Sequence, residues 1–239
     1  MKRTNSVLRI RISALALAVA GIFFLIYPAL RPFSDEVSLQ GAAAFASTQW
    51  LAAHMLAVVA FTLIPVGFLG LYGVLRESAA EGIGYWGLIL SMVGVGLTLP
   101  FYGGEAYGLH AIGQAALEQQ SAALLDIAGV VRSGAGLLLF VVGLVLLAAA
   151  AITIAAAIWK SGTLPKWSGI PLAVGVALYL PQFFGTQPLR VVHGLLVAAG
   201  CLWIALDLWQ HNPQSSVAPA GQPAFSEKQQ GRTALQNES

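Results

Sequence analysis

Five side chains in this sequence could do chemistry from within apolar surroundings: His54, Glu105, His110, Arg190 and His193. An ionisable group placed in an apolar stretch is costly, so it is paired, solvated or put to use. Imidazole and carboxylate donors suit zinc or iron, which makes His54, Glu105 and His193 the candidate metal ligands. Two histidines facing one another across a gap could instead hold haem iron. The same five residues also suit a polar ligand site with no metal, a small-molecule transporter, or plain ion pairing such as Glu105 with Arg190.

Spacing does not select among these uses. Glu105 and His110 are five positions apart, which sets them roughly 140° apart on a continuous helix. They converge only where Gly103, Gly104 or Gly108 breaks that helix. The chain holds no His-x-x-x-His or His-Glu-x-x-His pair and no Gly-x-Ser-x-Gly elbow, so neither a zinc hydrolase nor a serine hydrolase is signalled. Whether the chain is an enzyme stays open. Cys201 is the only cysteine, which excludes an intramolecular disulfide and a Cys-rich metal site.

The elements that must position these residues are membrane helices. Of 239 residues, 57% are hydrophobic and 9% charged, where soluble domains carry roughly 25% charged residues. The apolar residues fall in long blocks, and a bilayer span needs about 20 of them. Spans are expected near 12–30, 51–75, 84–102, 134–159, 168–184 and 189–209: an all-α integral membrane bundle of about six transmembrane helices in one domain, 1–210. The fifth is the weakest, being short and holding Pro171 and Pro181. The first reads as an uncleaved anchor, because its apolar run exceeds a signal-peptide core. Pro65, Pro100 and Pro181 are the places where helices could be interrupted, as transporter helices are.

Basic residues set the expected orientation. Lys2, Arg3, Arg9, Arg11, Arg76, Lys160 and Lys166 fall on one side of a six-span chain, and Arg31, Arg132 and Arg190 on the other. The richer side is expected to be cytoplasmic, placing both termini inside the cell membrane. Trp86, Trp159, Trp167 and Trp209 then border the inner face and Trp50 the outer one. On this topology His54, Glu105, His110, Arg190 and His193 collect near the outer face.

Two stretches stand apart from the spans. Residues 107–133 alternate apolar and polar groups and suit an amphipathic helix on the outer surface, or an extension of the third span. Residues 211–239 are rich in Pro, Gln, Ser, Gly and Ala and are expected to form a disordered cytoplasmic tail. Stripes of small residues, Gly67/Gly70/Gly73, Gly87/Ser91/Gly94/Thr98 and Gly194/Ala198/Cys201, are expected to bring the second, third and sixth spans together as an inner bundle. The Leu-, Val- and Ala-rich fourth span is expected to face lipid. A net charge of +2 without a basic stripe argues against nucleic acid. The lipid bilayer is the expected partner, with a homo-oligomer or a second membrane protein left open.

Overall fold

A computed structural model of the chain describes residues 2–211, with side chains from Val7 onward. The expected tail lies outside the described residues from position 212 on. The described residues form helices and their connections, with no strand among them: α1 Lys2–Leu30, α2 Leu39–Phe45, α3 Thr48–Leu75, α4 Glu81–Gly103, α5 Leu109–Glu118, α6 Asp126–Val131, α7 Gly134–Ser161, α8 Ile170–Ala177 and α9 Gln187–Gln210. A π-helical turn, Gly104–Gly108, joins α4 to α5, and 3-10 turns occupy Ala122–Leu125 and Pro181–Phe184.

Five helical stretches are long and apolar enough to cross a membrane: Val7–Leu30, Thr48–Leu75, Glu81–Glu118, Gly134–Ser161 and Gln187–Gln210. This fits a polytopic membrane protein. The fifth expected span, 168–184, is not one helix. Pro171 sits in the first turn of α8, where its missing N–H costs nothing. After eight residues the helix gives way to turns at 178–180 and then to the Pro181–Phe184 3-10 turn. Eight residues rise about 12 Å, far short of a bilayer core of about 30 Å. The segment still climbs the bundle, since Gly169 packs on Ala155, Leu172 on Gly200 and Gly175 on Val197. Helix α9 therefore starts at the end of the bundle opposite to where α7 finishes.

Close approach between helices comes from small residues, with partners that differ from the expected ones. Gly67 and Gly70 of α3 face Leu17 and Ser13 of α1, and Gly194 of α9 faces Phe24 and Pro28 of α1. The hub is thus α1, which runs antiparallel to both α3 and α9. Gly87 and Gly94 of α4 face α7 at Ile154 and at Gly143 and Leu147. So α7 does not simply face lipid: its Gly143, Leu147, Ala150 and Ile154 are buried, with Gly143, Leu147 and Ile154 packed on α4. The reason is Gly143, whose missing side chain lets the α4 backbone come within contact distance, a gain available only through tight packing in lipid.

At the end where α1 stops, residues 31–47 and 104–133 fold over the bundle. Ser38 and Ser47 cap the starts of α2 and α3 by accepting from the Gln40 and Trp50 amides at 3.1 Å each. The segment expected as an amphipathic helix or an extension of the third span is divided: its first half does extend α4 through the π turn into α5, and its second half returns as short helices. A second apolar cluster, including Phe45, Trp50, Leu109, Ala116 and Leu125, forms its core.

Candidate functional site

Glu105 is the centre of the polar chemistry at this end. It lies in the π turn, a widened stretch of helix of the kind frequent at functional sites. The Glu105 carbonyl accepts from Trp50 Nε1 at 2.7 Å. That bond explains why Trp50 is fully buried and not an interfacial tryptophan. The Glu105 carboxylate is gripped by Arg132, whose Nε and Nη2 donate to its two oxygens at 2.5 and 2.9 Å. Arg132 Nη1 donates to Glu36 at 2.6 Å, and Arg31 Nη2 donates to the other Glu36 oxygen at 2.8 Å. A chain of alternating charge, Glu105–Arg132–Glu36–Arg31, thus ties the π turn, the end of α6 and the loop after α1. Charge-assisted forked bonds of this kind also fix geometry.

Two further features show how tightly the clamp is held. Glu36 sits at φ 58°, in the left-handed region that costs a non-glycine residue about 1 kcal/mol or more. Burial pushes the Glu36 carboxyl up, but the hydrogen bonds and charges of Arg132 and Arg31 outweigh it, leaving its pKa below the ordinary range. Burial likewise pushes the Arg132 guanidinium down, and Glu105 and Glu36 reverse this, holding it above its usual value.

The structure joins two of the five sequence candidates and separates the other three. His54 is 1% exposed, and its Nε2 stands 3.8 Å from Glu105 Oε2. Its Nδ1 lies 2.8 Å from the Trp50 carbonyl, which can only accept, so Nδ1 carries a proton and fixes the ring. His110 instead lies 3.0 Å from the Phe45 carbonyl and fastens α5 to α2. The π turn widens the helix between Glu105 and His110 without bringing them together. His193 donates from Nε2 to the Gly175 carbonyl at 2.7 Å, which fastens α9 to α8. The expected metal trio His54, Glu105 and His193 does not assemble: among the described residues no three His, Cys, Asp or Glu side chains converge as ligands. The physical reason is that α9 reaches the bundle through α1 and α8, so His193 meets α8 before it could meet α4.

Arg190 does not pair with Glu105 either. It donates from Nε to the Gly185 carbonyl at 3.1 Å and from Nη2 to the Phe183 carbonyl at 2.6 Å. Its guanidinium lies 5.1 Å from the Phe33 ring centre, and Arg31 lies 5.0 Å from the same ring. These contacts lean Arg190 over a cavity of about 550 Å³ whose walls also carry Arg31, Glu36, Glu105 and Arg132. The rest of the lining is aromatic and aliphatic, with the buried Tyr27, Tyr102 and Phe140 among it. Three guanidiniums face two carboxyl groups there, and both of the latter are taken by Arg132 and Arg31. No carboxylate lies within ion-pair distance of Arg190 among the described residues. Ser34 also lines the cavity, and its buried hydroxyl has no hydrogen-bond partner among them.

Arg31, Glu36 and Arg132 were not among the sequence candidates. The available signal was their departure from the charge asymmetry, since Arg31, Arg132 and Arg190 are the basic residues on the otherwise poor side. Compared with known proteins, the chain matches no family model, no curated protein and no solved structure.

Proposed function

We propose that this chain is a multi-pass protein of the cell membrane, with both termini cytoplasmic, whose outward-facing cavity binds an anionic amphiphile. The orientation rests on the excess of Lys and Arg at the opposite end. The binding reading rests on one observation: Arg190 lines the cavity without a carboxylate, while the other two arginines are already neutralised. A half-buried guanidinium with open N–H groups favours an anion, and a charge-assisted bond there is about twice as strong as a neutral one. The aromatic walls suit an apolar body joined to that anion, and the volume is that of a small-molecule pocket. In this reading His54 and Glu105 are structural: Glu105, with His54 beside it, holds Arg132, and Arg132 in turn holds the cavity wall.

The test uses three probes that share one tail: octyl phosphate, octanol and octyltrimethylammonium. Each is added to the protein in lipid nanodiscs while thermal unfolding is followed. Octyl phosphate raises the unfolding midpoint and the other two do not, because only binding to the native state stabilises it. Equal shifts for octanol and octyl phosphate would overturn the anionic reading.

A further inference from the structure

We infer that the occupant of the cavity is an anionic phospholipid that enters sideways from the bilayer; this rests on the anionic-amphiphile reading above and names its ligand. The segment between α7 and α9 is interrupted. Over one half of the bundle α8 fills the space between those helices, with Leu172 on Gly200 and Gly175 on Val197. Over the other half there is only the 178–180 turn and the Pro181–Phe184 turn. That thinner wall is where the cavity lies: Leu137, Phe140 and Val141 of α7 line one side, and Leu180, Phe183 and Phe184 the other. Two of these residues are also on the outer surface, Leu137 at 41% and Phe184 at 95% exposure. The cavity therefore opens past exposed apolar side chains at the gap between α7 and α9, the route we assign to lipid.

Depth agrees with a lipid. Leu137 and Arg190 each lie three residues inside the start of their helices, about 4.5 Å along the axis. A guanidinium at that level meets the headgroup region, and an apolar gap beside it meets the first carbons of a chain. A phosphate on Arg190, with Ser34 nearby, leaves the acyl chains to leave through the gap past Leu137 and Phe184. Leu138 and Leu189, exposed at 64% and 54%, extend that apolar path along the outside. A water-soluble anion would have no use for a lateral opening.

The experiment is native mass spectrometry of the protein released from nanodiscs of mixed phosphatidylglycerol and phosphatidylcholine. It compares the wild type with Arg190→Gln and Leu137→Trp, and octyl phosphate binding is measured on each. Both lipids carry a phosphate, but phosphatidylcholine adds a quaternary ammonium that the excess guanidinium charge of the cavity repels, so the wild type retains one phosphatidylglycerol in preference to it by about tenfold, the worth of one charge interaction. Arg190→Gln removes that preference. Leu137→Trp, which blocks the gap at an exposed position, lowers phosphatidylglycerol retention while octyl phosphate still binds from water. Undiminished preference in Arg190→Gln would place the lipid elsewhere and overturn the inference. So would wild-type retention in Leu137→Trp, or loss of both ligands there. Octyl phosphate binding without any retained lipid overturns lateral entry alone, and failure of both ligands on the wild type overturns the anionic reading with it.

Discussion

Arg132 grips both carboxylate oxygens of Glu105, at 2.5 and 2.9 Å, across 27 positions of sequence. Its third nitrogen holds Glu36, so one side chain joins three otherwise separate segments. Removing one member of a buried charge pair costs about 3–5 kcal/mol because the other is left uncompensated. Arg132 is 28% exposed, so water relieves part of that cost. Arg132→Met is expected to destabilise the protein by about 2 kcal/mol, and Arg132→Met with Glu105→Gln by less than the sum of the two single changes. Additive losses in chemical unfolding would mean that the pair is not coupled.

Glu36 makes the clamp sensitive to acid. Its pKa is lowered in the folded chain, so its contribution is present above the ordinary carboxylate range and is lost as pH falls through the folded value. Stability measured from pH 7 downward is expected to fall across that window, and Glu36→Gln is expected to flatten the fall while lowering stability at pH 7. An unchanged acid limb in Glu36→Gln would assign the pH dependence to other groups.

The α4–α7 contact is set by Gly143. A Cβ there would meet Thr98 Oγ1 at 2.5 Å and the Gly94 carbonyl at 2.8 Å. Gly143→Val is expected to cost at least about 1–3 kcal/mol by overpacking, because backbone cannot move aside as a side chain can. Gly96→Val, where nothing lies within 4 Å, is the control and is expected to change stability little. Equal melting temperatures for the two variants would contradict the packing described.

Topology is tested by labelling with an impermeant thiol reagent in a Cys201→Ser background, since Cys201 is fully buried and its replacement is nearly isosteric. Val37→Cys, before α2, and Ala79→Cys, between α3 and α4, both stand at exposed positions. The proposed orientation predicts labelling of intact cells at position 37 and of opened cells only at position 79. Labelling of both in intact cells would contradict it.

Much of the fold was legible in the sequence because apolar length alone marks a membrane helix. Helices α1, α3, α4, α7 and α9 overlap the stretches expected for them. What composition cannot show is continuity, so 168–184 reads as a span although its helix stops at Ala177. The site was half legible. His54 and Glu105 stood out as ionisable groups in apolar stretches, and they meet. Arg31, Glu36 and Arg132 lie in connecting segments, where charge is ordinary; only the position of the two arginines on the charge-poor side set them apart, and nothing marked Glu36 until the loops fold over the bundle. Neither His110 nor His193 advertised that its partner is a backbone carbonyl, since any histidine can bond one.

The proposed role of Arg190, an unneutralised cation offered to a ligand in the cavity, is tested most directly by calorimetric titration. Octyl phosphate is titrated into nanodiscs holding the wild type, Arg190→Gln or no protein. The account predicts saturable binding to the wild type, weakened about tenfold or more in Arg190→Gln by loss of a charge-assisted contact. Equal affinity in both proteins would contradict it.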